Sequence, residues 1–241
     1  MLSKLFRKKP DIPQTWIFQK EENASLIDSF VNQVKQRLHQ SFPDGVFEYE
    51  DDFVEFYVER GSALYRFRFE IKKWSPTAID SESFGFWMAF DQLEVSEGKE
   101  IAYDDRFYRM TFDLGEIVQY NRLDSYAFHD FETQRESDFS RLFNQIGFVW
   151  VNGCVRMMDQ INSIEAVLQF CEQMKSEKKC YGLSDNRVLA YLHCQCLMIL
   201  SKEWQSVFHS YEASLSAEQY ERLKKGLDGL IQRYGISGAQ G

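Results

Sequence analysis

The stretch that decides the fold is Val54-Glu55-Phe56-Tyr57-Val58-Glu59-Arg60-Gly61-Ser62-Ala63-Leu64-Tyr65-Arg66-Phe67-Arg68-Phe69-Glu70-Ile71-Lys72. In its first part Val54, Phe56 and Val58 alternate with Glu55, Tyr57 and Glu59; in its second, Tyr65, Phe67, Phe69 and Ile71 alternate with Arg66, Arg68, Glu70 and Lys72. Successive side chains of a strand point to opposite faces, so an apolar residue at every second position marks a half-buried strand. Arg60-Gly61-Ser62 separates the two runs and supplies the turn of a hairpin.

Working outward, the pattern predicts further strands at 46–50, 84–95 and 106–114, where Tyr108, Met110, Phe112 and Leu114 alternate with Phe107, Arg109, Thr111 and Asp113. The connections 72–83 and 96–105 read as loops, and 115–133 has no clear period. Strands that follow one another with no intervening helix predict an antiparallel meander.

On either side of this block the period becomes helical. Leu26, Ile27, Phe30, Val31, Val34 and Leu38 share one helical face behind a capping pair Ser25 and Asp28, and Pro43-Asp44-Gly45 ends the helix. Beyond about 135, Phe139, Leu142, Phe143, Ile146 and Val149 or Trp150 form an apolar face. Asn162 with Glu165 is expected to start a helix carrying Ile164, Val167, Leu168 and Cys171, and a break follows at 176–186. Val188, Leu189, Leu192, Cys196 and Ile199 make another stripe; Ser216 and Gln219 have the spacing of a capping box, and Gly235 is placed to stop the last helix. The reading is an α+β chain: an N-terminal helix, an antiparallel sheet of about five strands, then an all-helical C-terminal half. Its divisions are a flexible start at 1–20, helix plus sheet at 21–133, helices packed on or beside the sheet at 134–235, and a disordered tail at 236–241.

The 21 Phe, 12 Tyr and 5 Trp give a chain of 241 residues enough apolar area to bury a core without disulfide or metal. Five cysteines, an odd number and all between 154 and 196, fit buried free thiols rather than a secreted disulfide scaffold. Met1–Pro10 is basic with no apolar stretch behind it, and no window approaches the roughly 18 apolar residues of a membrane span. A cytoplasmic protein off the membrane is therefore expected. The net charge of −9 disfavours nucleic acid as a partner.

Chemistry-bearing motifs are sparse. In His193-Cys194-Gln195-Cys196, helical geometry turns the two cysteines about 200° apart, so they cannot share an ion, and no second pair completes a tetrahedral site. His129 and Glu132 are spaced for one metal on a helix, but the further carboxylates such a site needs are missing. No GxSxG elbow, GxGxxG turn or phosphate-binding P-loop is present. No metal and no cofactor is expected on these grounds, and no catalytic residue can be named, although a catalytic group assembled in space stays open. Arg66, Arg68 and Lys72 suggest a basic sheet face, yet alternation along their strand sets the rings on the other side. Pairing with Glu55 and Glu59 of the neighbouring strand is the economical account.

The acids are clustered instead. Asp44, Glu48, Glu50, Asp51, Asp52, Glu55 and Glu59 fall in one stretch without a base, and Asp80 to Asp105 holds eight acids against Lys99. If the two stretches meet on one sheet edge, Glu50, Asp51, Asp52, Glu55, Asp104 and Asp105 make a negative patch that would steer a basic protein into contact. In composition the chain is similar to the small, acidic, motif-poor immunity proteins with which bacteria neutralise basic toxins; no motif is shared. The likeness implies a non-enzymatic binding role. Two other expectations stand beside it: a small-molecule binder or enzyme with a pocket near Trp87, Tyr103 and Trp150, and a structural subunit that associates through its C-terminal helices.

Overall fold

A computed structural model describes residues 24–50, 53–70, 84–93, 108–122 and 150–234. In chain order the elements are α1 (Ala24–Ser41), β1 (Val46–Glu50), β2 (Phe53–Arg60), β3 (Ala63–Glu70), β4 (Phe84–Phe90), β5 (Tyr108–Asp113) and α2 (Leu114–Tyr120). Helix α3 covers 150–160. Then come α4 (Ile164–Glu177), α5 (Asn186–Ile199), α6 (Gln205–Ser210), a 3₁₀ turn (Glu212–Ser214) and α7 (Ala217–Tyr234). The fold is α+β, with an N-terminal helix, a five-stranded antiparallel sheet and a helical C-terminal half, as the change of period predicts.

The sheet is a meander in the order β1-β2-β3-β4-β5. Gly61 turns the β2–β3 hairpin with φ of +61°, a backbone region that costs residues with a Cβ but not glycine. The register sets Phe56, Phe67, Phe86 and Phe112 in one row across four strands, flanked by rows holding Val54, Phe69 and Phe84 and Val58, Tyr65, Met88 and Met110. All of these are buried. Each aromatic ring removes roughly 150–250 Å² from water, so this one face supplies most of the sheet's adhesion.

Helices cover that face. Helix α1 contributes Val31, Val34 and Leu38, and Phe42 beyond its end tilts against Phe67 at 5.5 Å between ring centres. Helix α3 brings Trp150, which stands edge-on to Phe67 and Phe84 at 5.8 and 5.2 Å. The Tyr65 hydroxyl donates to the Ile161 carbonyl at 3.1 Å, and burial pushes its pKa up to about 12. Every residue of α5 from Leu189 to Met198 is buried, which makes it the central helix of its half; α4 and α7 pack beside it.

The connection from α4 to α5 ties the halves together. Gly182 places its carbonyl on the Thr111 N–H at 2.8 Å, and its own N–H donates to Glu116 at 3.1 Å. Its φ is +69°, and a Cβ there would fall 2.4 Å from the Phe112 ring, so only glycine fits.

Local details depart from the sequence reading. The strand expected over 84–95 ends at Phe90, where Asp91 and Gln92 turn the chain. Helix α2 occupies the start of the stretch without a clear period. Asp113 accepts from the Glu116 N–H at 2.8 Å while the Glu116 carboxylate accepts from the Asp113 N–H at 3.2 Å, a reciprocal capping box. Helix α4 is capped by Ser163, not Asn162; the Asn162 side chain donates to the Asp159 carbonyl instead. Ser216 and Gln219 do bond reciprocally at the start of α7. The expected features at 1–20, 96–105, 134–149 and 235–241, and the side chains of Ser25 to Phe30, lie outside what is described.

Candidate functional site

Of the acids expected to bind a partner, Glu50 and Glu55 fall on described strands. β1 is the outermost described strand on one side of the sheet; Val46 and Glu48 along it are exposed, as are Asp44 in the turn before it and Glu59 on β2. Val46 keeps 57% of its surface in water and is the exposed large hydrophobic residue of the described structure. Glu50 pairs with Phe53, and the two residues between them in sequence, Asp51 and Asp52, lie outside the described residues. So do Asp104 and Asp105. Strand β5 forms the other edge of the described sheet, four strand spacings or about 19 Å from β1, and Tyr108 enters it at the end of the sheet away from Glu50.

The two edges differ. The outer side of β5 is partly occupied by the Gly182 carbonyl on Thr111. Among the described residues, no backbone hydrogen bond reaches the outer side of β1. An edge of this kind presents free N–H and C=O groups to another chain.

Glu55 does not belong to that surface, which corrects the expectation that it binds a partner. It is buried on the second face of the sheet, and its Oε1 lies 3.3 Å from Arg66 and 3.2 Å from Arg68. The Tyr57 hydroxyl donates to its other oxygen. The cause is register: Glu55 sits directly opposite Arg68, and Arg66 is the diagonal neighbour. The cross-strand pairing expected from alternation is therefore present at Glu55, whereas Lys72 lies outside the described residues.

The arginine face is otherwise unlike the expectation. It is only partly wet: the Arg66 side chain retains 8% of its surface and Arg68 23%. Nor do rings and guanidiniums stay apart. Arg66 lies over the Trp87 ring at 4.6 Å and Arg68 over Phe53 at 4.5 Å. Alternation separates residues within one strand, but Trp87 of β4 is the direct register partner of Arg66 and shares its face. The result is a buried ion-pair and cation–π cluster, built for packing and charge compensation.

A second polar cluster lies between α5 and the 3₁₀ turn. His193 Nδ1 is 3.0 Å from the Tyr211 hydroxyl, and Lys175 lies over the Tyr211 ring at 4.5 Å while also bonding Ser210. Burial, helped by Lys175, lowers the His193 pKa to about 4, so its ring is neutral at pH 7. Burial pushes Cys194 and Cys196 up to about 12 and raises Cys171 strongly, which keeps these thiols protonated and poor nucleophiles. Among the described residues no three His, Cys, Asp or Glu side chains converge on an ion position. His129 and Glu132 lie outside the described residues.

Trp87 and Trp150 stand on opposite faces of the sheet, and Trp150, 1% exposed, is core. They line no common pocket, and Tyr103 is outside the described residues. No helix of the described structure is long and apolar enough to cross a membrane.

In comparison with known proteins, no protein-family model, no curated protein and no solved structure matches the chain.

Proposed function

We propose that this chain is a non-catalytic binding module that docks a basic protein along the β1 edge of its sheet. The observation that carries the reading is the contrast between the edges. β5 is partly closed by the Gly182 carbonyl, whereas the outer side of β1 carries no backbone hydrogen bond among the described residues. The same strand presents an exposed Val46 beside Glu48, with Asp44 and Glu59 close in the fold. An open edge offers backbone pairing, the valine a small apolar contact, and the acids long-range attraction for cations. Asp51 and Asp52, between paired Glu50 and Phe53, extend the same charge. Glu55 is left out because Arg66 and Arg68 engage it.

The test compares proteins captured from the source cell by the wild type and by a variant carrying Glu48→Lys, Asp51→Lys and Asp52→Lys. A basic protein is expected to be retained by the wild type at low salt and released by the variant, with association slowed about tenfold or more. Identical capture by both, or capture insensitive to salt, would remove the reading.

A further inference from the structure

Far from the β1 edge, α2, α3 and α4 enclose an open cleft of about 450 Å³, within the size range of small-ligand sites. Its construction begins at the end of α2. Asn121 donates through its side chain to the Ile117 carbonyl at 2.8 Å and to the Gly153 carbonyl at 3.3 Å, which pins α2 against α3 and fixes one wall. The next residue, Arg122, holds a left-handed backbone with φ of 53°. This is the position after a helix cap where glycine is favoured and a side chain is strained.

Arg122 from this turn and Arg156 from α3 line the same cleft, and both are exposed. Among the described residues neither enters an ion pair, in contrast to Arg60 with Asp159, Arg66 and Arg68 with Glu55, and Arg222 with Glu218. The acids close by are engaged elsewhere. Asp159 faces Arg60 at 3.3 Å. Glu177 pairs with Lys179 at 3.0 Å and accepts from Gln173 at 3.0 Å, so Arg122 makes only a lesser contribution to lowering its pKa. Two guanidiniums without carboxylate partners share one concavity in a chain of net charge −9.

The rest of the lining suits a polar body. Gln160, Gln169 and Gln173 offer amide donors and acceptors, and Phe170, packed 5.7 Å from Tyr120, gives an apolar wall. A phosphate monoester carries nearly two negative charges and three acceptor oxygens, which matches two forked guanidiniums better than a single carboxylate does.

We propose that the α2–α3–α4 cleft binds a small phosphomonoester, with Arg122 and Arg156 holding the phosphate and the glutamines contacting a hydroxyl- or amide-bearing body. This site is independent of the β1 edge and stands or falls without it.

The test titrates the full chain with AMP, ribose 5-phosphate, adenosine and citrate, reading heat of binding and the NMR shifts of the glutamine side-chain amides. Both phosphomonoesters are expected to bind in a salt-sensitive manner and to move the Gln160, Gln169 and Gln173 signals; adenosine is expected not to bind. Arg156→Gln and Arg122→Gly are each expected to weaken binding about tenfold, the scale of losing one charge-assisted hydrogen-bonded contact. Arg122→Gly also relieves the left-handed backbone, so it tests the site in a chain that folds at least as well as the wild type. The proposal is overturned if neither phosphomonoester binds at millimolar concentration. It is equally overturned if both variants bind unchanged, or if citrate or adenosine binds as tightly as AMP.

Discussion

The polar cluster behind the sheet and the one beside α5 face the same physical problem and resolve it differently. On the sheet, Glu55 is out of water but meets two guanidinium groups and a tyrosine hydroxyl, and the guanidiniums rest on the rings of Trp87 and Phe53. Beside α5, His193 has a hydroxyl partner and a nearby cation, and burial drives it to the neutral form. The difference follows from the neighbours. Charge can be kept inside a protein where an opposite charge lies within hydrogen-bonding distance, and it is given up where only a dipole or a like charge is at hand. The sheet provides the first case because cross-strand register sets two arginines against one glutamate. The helical half provides the second because burial acts on His193 together with the like charge of Lys175.

The largest effect that could break this comparison comes from Glu55. Glu55→Ala leaves the buried Arg66 and the partly buried Arg68 without their shared carboxylate, and the expected loss is about 3–5 kcal/mol of unfolding free energy, read from urea denaturation. A loss below about 1 kcal/mol would place the pair in the class of surface salt bridges and remove the contrast.

An intermediate effect is expected at His193. Its folded pKa of about 4 lies below the ordinary 6.5. The unfolded chain therefore takes up the proton first as pH falls, and stability drains away between pH 6.5 and 4, with nothing further lost below 4. The loss is up to roughly 3 kcal/mol, because each tenfold difference in proton affinity between the folded and unfolded chain is worth about 1.4 kcal/mol. His193→Gln removes the titration. The difference in urea midpoint between neutral pH and the acid end of that window should shrink in the variant, and equal differences in the two proteins would show that His193 is not the group responsible.

The smallest effect sharpens the sheet side. Trp87→Leu keeps an apolar residue under Arg66 but removes the ring face, and a loss of about 1 kcal/mol is expected for a partly buried cation–π contact. An unchanged unfolding midpoint would show that the Trp87 ring contributes nothing to holding Arg66.

How much of this is legible in the sequence depends on the range of the interaction. The hairpin 54–71 declares itself because a period of two with Phe and Val on one phase admits no helical reading. Helix α2 escapes a reading by period because seven residues are too few to show one; the signal that could find it is the Asp113 to Glu116 spacing of a capping box. Asn162 and Ser163 are adjacent, equally good caps by type, and only the backbone angles at Ser163 decide between them. Glu55 groups with its acidic neighbours along the chain, although its partners include Arg68, thirteen residues away and across a strand pair. The cleft between α2, α3 and α4 leaves no trace in the sequence, because Arg122 comes from the turn after α2 and Arg156 from α3.

The order of amino acids alone determined where the long strands and helices lie, though not the short helix α2 or the end of β4, which phase of each strand is apolar, and that the chain is acidic with its charge concentrated before residue 120. Those properties are local: each depends on side chains a few positions apart and on the period of one element. The tertiary structure alone decided which acids reach water and which are neutralised, that Trp87 and Trp150 are parted by the sheet, and that two arginines share a cleft. Each of these depends on register and helix packing, which bring together residues whose separation in the chain carries no information about their distance in space.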